Sequence, residues 1–320
     1  MENASGDKIF IEEISADKKF MEEVSETKEF TEEGKSMAKI LRGKEVADAL
    51  TAQMQKDTQA LKEAGITPTL CIFRVGERPD DLAYERGATK RAKTVGIAVK
   101  KVVLPGDVTQ EVFDRTLRDL NEDDSIHGIL LFRPLPGQLD NEKARQMLNP
   151  AKDIDGCTDL SLAGVFTNTK TGFPPCTAQA AMEILHHFDI PVKGKKAAVI
   201  GRSLVIGRPV GMMLMHENAT VVNCHTRTVD VPSITRQADI LIAASGQLHS
   251  VTKEYTNPGQ VVIDVGINWD AEKGGISGDV AFEDVEPFVQ AITPVPGGVG
   301  SVTSCVLIGH VIEAAKRQGR

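Results

Sequence analysis

The chain lacks any surplus of positive charge: 37 lysines and arginines face 45 aspartates and glutamates, a formal net charge of −8 at pH 7. Nucleic acid binding is driven largely by counterion release onto a basic surface, so nucleic acid is excluded as the main partner. Long apolar runs are missing too. None approaches the roughly 18 residues that a membrane-crossing helix needs, and no membrane partner is expected. Cysteine is sparse. Cys71, Cys157, Cys176, Cys224 and Cys305 are odd in number, scattered and without a C-x-x-C pair. That argues against a disulfide framework and against a zinc site; no metal is expected. The start of the chain has neither the apolar core of a secretory signal nor the arginine-rich, acid-poor make-up of a mitochondrial leader. The cytoplasm is therefore the expected location. The G-x-G-x-x-G dinucleotide fingerprint is also absent.

What is present begins with length. The chain has 320 residues, enough for two domains with sizeable cores. Residues 1–36 stand apart. Asp7–Glu13, Asp17–Glu23 and Thr27–Glu33 repeat with a period of ten, and eleven acids against five lysines leave the segment at −6. Ten residues matches neither a heptad nor an eleven-residue helical repeat. Such a segment buries little, so it is predicted to be an acidic flexible N-terminal extension, dispensable for chemistry. The alternative is a docking arm presenting Phe10, Phe20 and Phe30.

From Met37 onward apolar runs alternate with amphipathic stretches. Helices are predicted over 38–62, 81–95, 110–121 and 178–187, with strands at 68–75, 97–104 and 128–132. A second alternating block has strands at 197–200, 220–223, 240–243 and 261–265, and a last helix covers 303–316. This alternation predicts an α/β fold of two domains built on parallel sheets. The first covers 37–182 plus 303–320, and the second, 183–302, is a Rossmann-type nucleotide domain. Ligands of such sheets bind beyond the carboxyl ends of the strands.

The most informative stretch lies at one such end. The apolar run Ala197–Ile200 leads into Gly201-Arg202-Ser203, and Gly207-Arg208-Pro209 then opens a helix. A strand, a glycine turn and a helix start present backbone N–H groups to a phosphate. A glycine turn alone is often only a tight connection. Arg202 favours the phosphate reading, because a guanidinium is a bidentate phosphate ligand. Arg208 is read as a solvent residue at the helix start.

Seven motifs occur in order: Pro134-Leu135-Pro136, Lys152-Asp153-Ile154-Asp155-Gly156, Pro175-Cys176-Thr177, Gly201-Arg202-Ser203, Val262–Asn268, Gly278-Asp279-Val280 and Thr293–Gly300. In this order and spacing, residues 38–316 resemble the methylenetetrahydrofolate dehydrogenase/cyclohydrolase family. The resemblance implies a homodimer with an α/β folate-binding catalytic domain and NADP on the second domain, NAD being the less favoured cofactor. It implies hydride transfer from 5,10-methylenetetrahydrofolate to NADP+, followed in many members by hydrolysis of the methenyl product. Tyr84 matches the tyrosine that stacks along the folate ring. Asp155 matches the carboxylate that hydrogen-bonds the pterin, and Pro296, Gly297 and Gly298 match the loop that closes beside it. Gly201, Arg202 and Ser203 match the phosphate cradle; His225, Thr226, Arg227 and Ile267 are the other candidate cofactor contacts. After the second strand of a nucleotide fold, an acid commonly reads the ribose hydroxyls of NAD. Residues 225–227 contain no acid and add Arg227, which favours a 2′-phosphate.

Two departures from the resemblance bear on mechanism. The bifunctional pattern is Tyr-x-x-x-Lys, with the lysine needed for hydrolysis, but here Ala88 follows Tyr84 at that interval. Residues four apart share a helix face, so the lysine would project beside the tyrosine. Lys90 lies roughly 240° round the helix from Tyr84, at about 100° per residue, and is expected to face elsewhere. Arg91 returns to the Tyr84 face two turns on, but guanidinium is a poor proton carrier. The second departure is Phe132, where the family has a glutamine that hydrogen-bonds the lysine. Loss of both members of one pair is coherent, because an unpaired buried amide costs about 1–3 kcal/mol. Weak or absent cyclohydrolase activity is expected.

Overall fold

A computed structural model describes residues 37–319; the ten-residue repeats lie outside the described residues. The chain opens with β1 (Lys39–Ile40) and α1 (Gly43–Glu63). The sequence predicts helix from Ala38, and the structure corrects this. Lys39 N–H donates to Gln290 O at 3.0 Å and Leu41 N–H to Ile292 O at 2.8 Å, so pairing with a distant strand claims these backbone groups first. Ala38 N–H is taken by Glu286 Oε1 at 3.1 Å. The helix can begin at Gly43 because a glycine there admits another loop: a Cβ would sit 2.0 Å from Gly298 O.

Next come β2 (Thr69–Val75), α2 (Pro79–Val95), β3 (Ala98–Leu104), α3 (Gln110–Glu122) and β4 (Gly128–Leu131). The three strands form a parallel sheet in the order β3-β2-β4. α2 carries Pro79, Asp80 and Asp81 in its first turn and ends on Gly96 at φ 88°, matching the macrodipole and the left-handed stop. Two short helices, α4 (Asn141–Met147) and α5 (Asp159–Thr167), follow, capped by Asp140 and Thr158. Neither is long enough to show a period in the sequence. α6 (Cys176–His187) then leads into the second domain.

That domain alternates β5 (Lys196–Ile200), α7 (Gly207–His216), β6 (Thr220–Cys224), α8 (Val231–Thr235), β7 (Ile240–Ala243) and β8 (Val261–Asp264). A small hairpin of β9 (Asn268–Asp270) and β10 (Gly275–Ser277), the helix α9 (Phe282–Val285) and β11 (Ala291–Ile292) complete it. The parallel sheet runs β1-β11-β8-β7-β5-β6. Strand order reverses at β5, where β6 lies to one side and β7 to the other. The crevice above such a switch point is where nucleotide folds bind ligands.

The last helix, α10 (Val299–Gln318), is long and apolar enough to cross a membrane, which the sequence reading of short apolar runs did not anticipate. Its surroundings explain the composition. It packs against α1, α6 and α2, and Leu307, Ile308 and Val311 are fully buried in the main core. A helix that is apolar nearly all round is a buried one.

Candidate functional site

At the switch point, Gly201, Arg202, Ser203, His225 and Thr226 line one cavity of about 370 Å³ with Ser245, Gln247 and Tyr255. The turn is as tight as the sequence implies. Gly201 adopts φ 134°, and a Cβ on it would lie 2.3 Å from Ala244 O. A Cβ on Gly207 would lie 2.3 Å from Gly201 O, so both glycines let the loop fold onto the start of α7. Ser203 serves that start as well, accepting Ile206 N–H at 3.2 Å. Among the described residues the Arg202 guanidinium makes no hydrogen bond or ion pair, and no acidic side chain lines the cavity. Both facts leave the cavity open to an anionic group, whose charge an acid would repel. His225 holds its own turn: Nδ1 accepts Arg227 N–H at 3.1 Å, and His225 N–H donates to Thr228 Oγ1 at 2.9 Å. Arg227 is exposed outside the lining, and Arg208 is exposed at the helix start.

Two buried carboxylates that the sequence offers only as motif letters brace the neighbouring loops. Asp264, at the end of β8, accepts Gly266 N–H at 2.9 Å and Asp279 N–H at 3.1 Å on one oxygen, and Val280 N–H at 2.9 Å on the other. Burial, with the nearby Asp279 charge, pushes its pKa up to about 7 against these three donors. Asp279 accepts Asn268 Nδ2–H on one oxygen, and Ser245 Oγ–H and Gly246 N–H on the other, each at 2.9 Å. Gly278 must be glycine here, since a Cβ would lie 1.8 Å from Asp264 Oδ2. Ile267 follows this brace, 68% exposed, and faces the Pro296–Gly298 loop. It lines a cavity of about 210 Å³ with Pro296, Gly297 and Gly298. The structure thus places Ile267 in a different cavity from the Gly201–Ser203 turn and joins it to the Pro296–Gly298 loop. That loop is anchored by Gly43 N–H, which donates to Gly297 O at 2.8 Å.

The third group lies on the first domain. Tyr84 stands on α2, 38% exposed, with its ring edge-to-face on Phe132 at 5.8 Å between centroids. Burial, then the Asp155 charge, raises the Tyr84 hydroxyl pKa, so it stays protonated. Ala88 is 2% exposed and Phe132 8%, both within the main core. Lys90 is exposed, and the Arg91 guanidinium donates to Thr51 Oγ1 at 3.1 Å. Neither supplies a proton carrier beside Tyr84.

Within Lys152–Gly156 the roles divide. Lys152 is buried and donates to Asp123 O at 2.8 Å. Asp153 is fully buried and accepts Cys157 N–H, Thr158 N–H and the Ser161 hydroxyl at 2.7–3.0 Å. These two shape the turn, and Asp155 lines a cavity of about 300 Å³ with Arg133, Gly156 and the second domain's Leu204 and Val205. Burial and the Asp153 charge push Asp155 up to about 6, while the Cys176 thiol and Arg133 oppose the rise.

Comparison with known proteins matches residues 41–155 to the tetrahydrofolate dehydrogenase/cyclohydrolase catalytic domain, and residues 175–319 to the NAD(P)-binding domain of the same enzymes. The bifunctional protein FolD of Carboxydothermus hydrogenoformans is 48% identical over 281 residues, covering 88% of this chain and 98% of that one. FolD of Alkaliphilus oremlandii is 48% identical over 282 residues, covering 88% and 99%. Among solved structures, the FolD dehydrogenase/cyclohydrolase of Campylobacter jejuni superposes with a TM-score of 0.84 at 35% identity, covering 88% and 99%. The Trypanosoma brucei enzyme, solved with NADP and an inhibitor, gives 0.82 at 34% identity, covering 89% and 99%.

Proposed function

Because the chain belongs to the tetrahydrofolate dehydrogenase/cyclohydrolase family, we propose that it is an NADP-dependent methylenetetrahydrofolate dehydrogenase with weak or absent cyclohydrolase activity, working as a cytoplasmic homodimer. The observation that carries the reading is the buried apolar pair Ala88 and Phe132 beside Tyr84. Hydride transfer needs position more than a proton carrier. Tyr84 covers one face of the flat pterin, Asp155 accepts two donors from its guanidine-like edge, and the Pro296–Gly298 loop closes over it. When bound, NADP+ takes the hydride, and the substrate's two ring nitrogens share the positive charge left on the carbon between them. Hydrolysis must add water and move protons, a task in which general acid–base help is worth about 10²–10⁴-fold. Ala88 and Phe132 have no proton to move. The relatives' bifunctional names favour the rival reading, full hydrolysis through another group; a third is a catalytically idle folate- or nucleotide-binding protein. An assay with methylenetetrahydrofolate and NADP+ separates them: methenyl product accumulates, 10-formyl product forms as fast as NADPH, or no NADPH appears.

For the cofactor, Arg202→Ala is expected to raise the KM for NADP+ about tenfold, a worth of about 1.4 kcal/mol, and to leave that for NAD+ nearly unchanged. Equal rises on both would make Arg202 a reader of the shared pyrophosphate, not of the 2′-phosphate. For the substrate, Asp155 must be ionised to accept donors, so KM for methylenetetrahydrofolate should rise about tenfold per pH unit below pH 6. Stability should move the other way. A carboxyl whose pKa is raised by folding contributes stability fully present below its unfolded value, near pH 4, and lost as pH rises through 6. Asp155→Asn should flatten both profiles; a KM profile that keeps its slope would remove Asp155 from substrate binding.

A further inference from the structure

Of the two arginines that line the Asp155 cavity, Arg133 makes no hydrogen bond or ion pair among the described residues. Arg145 lines the same cavity but is committed to Glu142 at 2.7 Å and Asp159 at 2.6 Å. Arg133 is partly buried, makes no hydrogen bond, and is close enough to Asp155 to oppose its protonation. Its place is fixed by its neighbours. Phe132 N–H donates to Phe73 O at 3.0 Å at the end of β4, and Arg78 donates to Pro134 O at 3.1 Å on the other side. A partly buried guanidinium with unused donors at a cavity wall is placed to complete its hydrogen bonds on an acceptor of a ligand there.

Resting on the dehydrogenase reading, we propose that Arg133 recognises the 4-oxo group of the pterin and so determines which folates enter the site. The pyrimidine edge of a folate presents three groups in a row: the C4 oxygen, an acceptor; N3–H, a donor; and the 2-amino group, a donor. Asp155 suits the two donors, and Arg133 suits the oxygen beside them. Together they match that edge in charge and order. A 4-amino folate offers a donor at C4 and no proton at N3, so it meets Arg133 with the wrong group.

Folic acid and aminopterin differ at that edge alone and serve as the probes, read as competitive inhibitors of NADPH formation and by direct binding titration. The wild type should favour folic acid. Arg133→Leu should cut that preference about tenfold, the worth of one charge-assisted bond. It should raise the KM for methylenetetrahydrofolate by a similar factor, and leave the KM for NADP+ and the melting temperature within twofold and about 2 °C of wild type. Arg133→Lys should recover part of the preference. An unchanged oxo-to-amino ratio in Arg133→Leu would overturn the proposal, as would a rise in the KM for NADP+ instead. If the wild type forms no NADPH, the dehydrogenase reading fails, and the binding titration still decides whether Arg133 reads the oxo group.

Discussion

Given methylenetetrahydrofolate and NADP+, the purified protein is expected to produce NADPH and let the methenyl cation build up, visible by its ultraviolet absorbance. Hydrolysis of that cation should run about 10²–10⁴-fold below the rate that an acid–base-assisted site would give, the usual share of such help. Restoring the missing pair tests the cause. Ala88→Lys alone places an ammonium against Phe132 in a position only 2% exposed. Burial without a partner should depress its pKa and cost stability. Ala88→Lys with Phe132→Gln gives the ammonium an acceptor. The double variant should hydrolyse the cation at least tenfold faster than either single variant, with the NADPH rate changed less, because two side chains that would share one hydrogen bond are non-additive. A parent that already hydrolyses the cation well above the uncatalysed rate ends the argument. So does a double variant that binds folate and gains nothing.

The largest structural loss is expected at Asp264. Asp264→Ala strips acceptors from Gly266, Asp279 and Val280 together. Each buried N–H left unpaired costs about 1–3 kcal/mol, so the loss should exceed about 3 kcal/mol. In a chain of this size that lowers the melting temperature by on the order of 10 °C. Asp264→Asn keeps one oxygen and should fall between. Gly278→Ala should match the alanine variant, since its methyl would enter the space that Asp264 Oδ2 fills. The KM for NADP+ should rise with the instability, because Asp279 holds the Ser245–Gly246 turn in the cavity wall. A melting temperature within 2 °C of wild type for Asp264→Ala would mean that water replaces the carboxylate, and the brace would carry little.

The sheets were legible because parallel strands, buried on both faces, write themselves as short apolar runs. Strands 69–75, 196–200, 240–243 and 261–264 all lie within two residues of those runs. Two- and three-residue strands have no period to read, so β1, β11 and the β9–β10 hairpin were not visible. In the candidate site, glycines and charged residues next to strand ends could be picked out, since topology puts ligands there. What each carboxylate does could not. Asp153, Asp155, Asp264 and Asp279 are alike as letters, yet three of them hold loop backbone or side-chain donors and only Asp155 faces a cavity lined by both domains. Arg133 passed unnoticed because its meaning lies in the hydrogen bonds it does not make.

The pairing of Lys39 with Ala291 has a consequence for how the molecule is made. The outer strand of the second sheet is synthesised first and its partner nearly last, 252 residues later. Until the ribosome has delivered β11, β1 has no register to join, and β8 keeps one side bare. Closing so long a loop is slow, so the nascent chain should wait in a state with an open β8 edge. Cutting the gene into two halves would leave a different edge open: the second half, translated alone, can pair β11 with β8 but never receives β1, so β11 keeps an unpaired parallel edge, the kind of surface that recruits strands from other molecules.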